Sequence, residues 1–144
     1  MPAWLSLLHA SLAALWLGCV LTEVFFERTL LAAGPAQHRL LAQLHRRVDL
    51  WLELPALLGV AVTGGLLLAG RSGTDALLGW KLAAGIAAVA CNLYCVVLVL
   101  RRAACAEAGD ATGFARLDRA QHRWGAGVLV ALLAALTLAL LRRL

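Results

Sequence analysis

The chain lacks most of the devices on which soluble enzymes are built. It has no nucleotide-binding loop, no Ser-His-Asp set and no His-Glu-x-x-His motif, so P-loop nucleotide hydrolysis, triad hydrolysis and zincin-type proteolysis are not indicated. Its four cysteines, Cys19, Cys91, Cys95 and Cys105, form no CxxC pair, and three of them lie within apolar runs, which argues against a disulfide framework. Cys91 and Cys95 share a helix face and read as small apolar packing rather than as a soft-metal pair. No Lys or Arg precedes Arg28. The first apolar stretch therefore lacks the basic region of a cleaved signal peptide and is too long for its core, so a retained helix is expected. Leu17-Gly18-Cys19 resembles a lipoprotein cleavage site only faintly, because Trp16 fits that pattern badly. There is no internal repeat and no low-complexity tract. Charged residues make up only 15% of the chain.

What is abundant is apolar surface. The chain is 62% hydrophobic with a mean hydropathy of +0.84, against roughly 45–50% apolar usage in soluble domains. Four long apolar runs cover about 4–26, 50–69, 77–100 and 124–141, each near the ~20 residues needed to cross about 30 Å of hydrocarbon. Backbone polar groups must be satisfied inside lipid, so the runs are expected to be helices. The expectation is a single all-α domain over 1–144, an integral membrane four-helix bundle with helices at about 4–26, 46–69, 77–100 and 116–141. Four spans nearly use up the length and leave no room for a separate soluble module.

Arginine sets the expected orientation. Arg28, Arg39, Arg46 and Arg47 flank the first connection, and Arg101, Arg102, Arg116, Arg119 and Arg123 flank the third. The second connection has Arg71, with Lys81 just beyond it, and Arg142 and Arg143 follow the last span. The positive-inside rule places the first and third connections in the cytoplasm and both termini on the outer, periplasmic side of a bacterial inner membrane. The net charge of +5 then reflects topology and contact with anionic headgroups. No separate basic module is present, so nucleic acid is not an expected partner.

Against that background the acids stand out. Glu23 and Glu27 close the first run, His45, Asp49 and Glu53 open the second, and Asp118 and His122 open the fourth. Each set is spaced i, i+4, along one side of a helix. An ionisable group at membrane depth costs roughly 2.5–3.5 kcal/mol, so the cluster requires a metal, an ion-pair network or a proton path. Carboxylate and imidazole suit Fe, Mn or Zn, and ferritin-like bundles hold such ions on inward-facing Glu and His. Glu23, Glu53 and His122 are the expected core ligands, with Asp49, His45 and Asn92 as further ligands or supporting groups. The competing expectation is an interfacial network in which Arg46, Arg47, Arg119 and Arg123 neutralise the acids. His9, near the outer face on the stripe of Trp16 and Glu23, is expected to be a hydrogen-bonded histidine, His38 a solvated one, and Lys81 a snorkelling lysine.

The segment LHASLAALWLG, with His9, Trp16 and Gly18, resembles the first helix of the copper-resistance D-like and HemJ-type (protoporphyrinogen oxidase-like) membrane proteins. A charged helix leading to Pro55, a Thr-Gly-Gly stretch, Gly-Trp-Lys at Gly79 to Lys81 and a basic third loop follow in the same order. The resemblance spans most of the chain through short motifs. It implies a four-helix membrane fold and, in HemJ-type proteins, heme b or porphyrin chemistry at residues matching His9 and Lys81. Where that family has Asn-Glu-Val-Pro before its fourth helix, this chain has Gln121-His122-Arg123-Trp124, and its third-helix histidine region reads Cys91-Asn92-Leu93. The resemblance is therefore taken for the fold. The expected function is a membrane metal protein, dimeric and redox-active on a lipid-soluble or porphyrin substrate. The alternatives are a b-type heme protein, a copper transport or resistance protein and a non-catalytic subunit.

Overall fold

Long apolar stretches without internal breakers leave the backbone one economical solution, and each of them is helical. The structure, a computed structural model, describes residues 2–71, 73 and 75–142; Arg143 lies outside the described residues. Among these there is no strand. α1 spans Ala3–Ala32. Gly34, in the left-handed region at φ 93°, turns the chain into a short 3-10 turn at Pro35–Gln37. α2 (His38–Val48) continues through a π-helical turn (Asp49–Glu53) into α3 (Leu54–Ala69). α4 (Ala76–Ala108) and α5 (Ala111–Leu141) complete the bundle. Four helical segments, with Pro35–Ala69 counted as one, are long and apolar enough to cross a membrane.

Hydropathy marks the spans but underestimates the helices. α1 continues beyond Phe26 to Ala32, α4 beyond Leu100 to Ala108, and the second rod starts at the 3-10 turn rather than at residue 46. α5 begins at Ala111 rather than near 116. Charged residues such as Glu27, Arg28, Arg101 and Arg102 end an apolar run without ending a helix. Termination comes from local chemistry instead. Gly109 closes α4 in the left-handed conformation at φ 73°. Asp110 then caps α5, its Oδ1 accepting from the Gly113 N–H at 2.8 Å.

Pro55 follows the π-turn directly. Proline donates no N–H and its ring crowds the carbonyl four residues back; the wider turn relieves both constraints. That turn also aligns the acids. In an α-helix four residues overshoot a full turn by about 40°, so His45, Asp49 and Glu53 would drift around the rod. A π-turn needs more than four residues per revolution and returns Glu53 to the line. All three residues are buried.

α4 and α5 form the most extensive pair, α1 packs on α3, and α2 packs on both α4 and α1; α1 and α5 touch sparingly. Two apolar clusters fill the interior. One joins Trp16, Leu57, Ala88 and Val128 at mid-bundle, and the other joins Leu41, Ala103 and Phe114 near the α1–α2 and α4–α5 connections. The outside is apolar as well: Trp51 is 78% exposed and Phe25 73%. Apolar exposure on this scale marks a surface that contacts a membrane or another protein.

Candidate metal centre between the helices

The inward line of α1 runs His9, Trp16, Glu23, Glu27, and each residue meets a polar partner. At 1.5 Å per residue this line covers about 27 Å. His9 Nδ1 lies 2.9 Å from Thr63 Oγ1. The Thr63 hydroxyl donates to Gly59 O at 2.6 Å, so the imidazole N–H donates to the threonine oxygen. Lys81 lies close enough to His9 to act on it electrostatically. One level further, the fully buried Trp16 donates from Nε1 to Asn92 Oδ1 at 2.8 Å and to Glu53 Oε1 at 3.1 Å.

The acid–histidine layer follows, toward the end carrying the α1–α2 and α4–α5 connections. His45 is its centre. Its Nε2 is 3.0 Å from Glu23 Oε2 and 3.7 Å from Asp49 Oδ1, and its Nδ1 is 3.0 Å from Glu27 Oε1. Gln121 Nε2 lies 2.8 Å from His45 Nε2. Turning that amide over, which shape alone cannot distinguish, brings its otherwise unpartnered Oε1 to the ring as an acceptor. Arg102, with no exposed surface, donates from Nη1 to Glu27 Oε1 at 2.8 Å and to Asp118 Oδ1 at 2.6 Å, and from Nη2 to His45 Nδ1 at 2.7 Å. Its guanidinium also stands 5.6 Å from the centre of the Phe114 ring. One side chain thus links all of α1, α2, α4 and α5.

Among the described residues, two groups each have their ligand atoms within 4.8 Å of one another: Glu23, His45 and Asp49 form one, and Glu27, Asp118 and His122 the other. The first group is wholly buried. It contains Glu23 Oε1 and Asp49 Oδ2, both buried without a hydrogen-bond partner. In the second group Arg102 already holds Glu27 and Asp118, and the His122 side chain is 45% exposed, its Nδ1 donating to Asp118 O at 2.8 Å. A cavity of about 280 Å³ adjoins both groups. Buried Glu23, Asp49, Glu53 and Asn92 line it, and exposed Arg28 and His122 mark its mouth between α1 and α5.

Sequence reasoning brought the right segments together but grouped them differently. Glu23 and His122 fall into separate groups, and Glu53 with Asn92 belongs to the Trp16 layer. His45 and Asp49, read as secondary, are central. Arg46, Arg47, Arg119 and Arg123 are exposed, and the arginine that pairs with the acids, at Glu27 and Asp118, is Arg102, which had been read as a topology marker. His38 stacks on Phe114 at 4.3 Å instead of standing free in solvent. Arg102 and Gln121 did carry a signal. Ala88, Asn92, Cys95, Val99 and Arg102 recur at alternating spacings of four and three along the buried face of α4, and Phe114, Gln121 and Val128 recur every seven along α5. Comparison of the chain with protein-family models, with curated proteins and with solved structures returned no match.

Proposed function

We propose that this is a multi-pass membrane protein that binds a divalent transition-metal ion at Glu23, His45 and Asp49. The reading is supported above all by Asp49 Oδ2 and Glu23 Oε1, which are buried without partners beside a cavity. A buried carboxylate oxygen without a donor is costly, and a metal ion supplies what is missing. Charge argues the same way. Glu23, Glu27, Asp49, Glu53 and Asp118 surround one internal arginine, so the acids outnumber the fixed cations.

His45 suits a ligand through Nε2. Ligation through Nε2 requires the ring proton on Nδ1, 3.0 Å from Glu27 Oε1, the tautomer opposite to the one in which Nδ1 accepts from Arg102. Glu27 then supplies the carboxylate–histidine pairing that orients a metal-bound imidazole. Two carboxylates and one imidazole fit Fe, Mn or Zn. Three protein ligands leave positions open toward the cavity, where a substrate can reach the ion. In the membrane, the arginine-bearing α1–α2 and α4–α5 connections face the cytoplasm, and both ends of the chain face outward.

The test is elemental analysis and a visible spectrum of protein purified in detergent without chelators. Wild type carries about one metal ion per chain, and Glu23→Gln, His45→Ala and Asp49→Asn each lose most of it while the bundle stays assembled. Negligible metal in wild type overturns the proposal in favour of neutralisation by protons. A stoichiometric Soret band replaces it with a heme protein.

A further inference from the structure

Beyond their difference in burial, the two acid–histidine groups differ in their partners: Glu23 and Asp49 have unpartnered oxygens, whereas Glu27 and Asp118 converge on Arg102. We infer that Arg102 occupies the second group as a built-in cation and so restricts the bundle to one metal ion per chain. The inference rests on the metal reading of the first group and adds a residue that determines its stoichiometry.

The geometry is that of a filled site. Glu27 Oε1 and Asp118 Oδ1 both face Nη1, at 2.8 and 2.6 Å, from different helices. A guanidinium serves buried carboxylates through several directed N–H bonds where an ammonium offers a point charge. Its Nη2 also reaches His45 Nδ1, so the internal cation touches the far side of the ligand imidazole. Without Arg102, Glu27, Asp118 and His122 would form a second carboxylate–histidine set of the same composition as the first. Two such sets side by side are the ligand inventory of a two-metal bundle. Arg102 thereby sets the nuclearity: a mononuclear site with open positions in place of a bridged pair.

The experiment is equilibrium dialysis of the detergent-purified full chain against Mn²⁺, with bound metal counted by elemental analysis and spin coupling read by electron paramagnetic resonance. Wild type and Arg102→Lys bind one ion with an uncoupled signal. Arg102→Gln binds two, a doubling, with a coupled signal, and adding Asp118→Asn to it returns the count to one. Two ions in wild type, or one in a folded Arg102→Gln, overturns the inference and leaves the metal reading standing. No ion in wild type removes both. Should Arg102→Gln fail to assemble, Asp118→Asn and His122→Ala in the wild-type background decide: an unchanged count of one supports the inference, and a drop in metal content overturns it.

Discussion

Replacing Arg102 by Met in metal-free protein tests the acid–histidine layer most directly. The substitution keeps length and apolar bulk but removes three hydrogen bonds, to Glu27, Asp118 and His45, and the contact with Phe114. Removing one partner of a buried ion pair costs about 3–5 kcal/mol, because the remaining charge stays out of water. The Glu27 side chain is 8% exposed and that of Asp118 14%, so Asp118 recovers some hydration and the lower end of the range applies. About 3 kcal/mol shifts an equilibrium by roughly a hundredfold. Reversible unfolding in mixed micelles with a chelator reads this directly. Arg101→Met is the control, since that neighbour is exposed and its loss stays within about 0.5 kcal/mol. The triple variant Arg102→Met/Glu27→Gln/Asp118→Asn recovers most of the lost stability, because no unpaired charge remains. If Arg102→Met unfolds like Arg101→Met, the arginine is an interfacial topology marker and the buried network is wrong.

Trp16→Phe preserves the ring but leaves Glu53 Oε1 and Asn92 Oδ1 without the indole N–H; each buried acceptor left unpaired costs about 1–3 kcal/mol, visible as a lower thermal midpoint in detergent. Gly64 and Gly65 should respond differently to alanine. At Gly65 a Cβ meets nothing within 4 Å, so Gly65→Ala stabilises the helix by up to about 1 kcal/mol. At Gly64 the Cβ arrives 3.1 Å from His9 Cε1, and displacing that ring strains the bond to Thr63, so Gly64→Ala loses that gain in the same unfolding assay. Asp75 caps α4 through the Leu78 N–H and pairs with Arg142, and these contacts hold its carboxyl below the ordinary carboxylate range. Its contribution is therefore present above the unfolded-state value of about 3.9 and fades as pH falls through the lower folded value. Stability curves of wild type and Asp75→Asn differ at neutral pH and converge in strong acid; a constant gap refutes the assignment.

The four long apolar helices were legible because each is a continuous hydropathic run long enough to cross a membrane, and the polar segments were legible because acids inside such a run are costly to bury. Their grouping was not. Whether Arg102 turns out to water or in to Glu27 depends on where α1 and α5 lie, and an arginine at the end of an apolar run has the same local sequence in both cases. The π-turn was also hidden. Strict i, i+4 spacing treats His45, Asp49 and Glu53 as one face of an ideal helix, whereas Pro55 widens the turn before it. Glu53 is thereby aligned with Trp16 and Asn92, and Asp49 remains with His45. The i, i+7 recurrence through Phe114, Gln121 and Val128 has the period of ordinary core packing, so it marks the buried face of α5 without showing that the glutamine on it meets His45.

The polar column is graded, and the gradation bears on what each layer can do. Toward the chain ends it consists of hydrogen bonds between His9 and Thr63 and between Trp16 and Asn92, where the groups satisfy one another. Such a layer fixes helix register and has no spare acceptor for a ligand. Toward the α1–α2 and α4–α5 connections the partners become carboxylates, and their number exceeds what Arg102 can serve. The unpartnered oxygens fall at the boundary, on Glu23 and Asp49, where Glu53 is held by Trp16 on one side and Glu27 by Arg102 on the other. An ion placed there completes the column and sits where the sparse contact between α1 and α5 leaves a cavity. At the proposed site, a metal held by Glu23, His45 and Asp49 would remain open to a third party, because Glu53 and Glu27 are already engaged with Trp16 and Arg102 on either side.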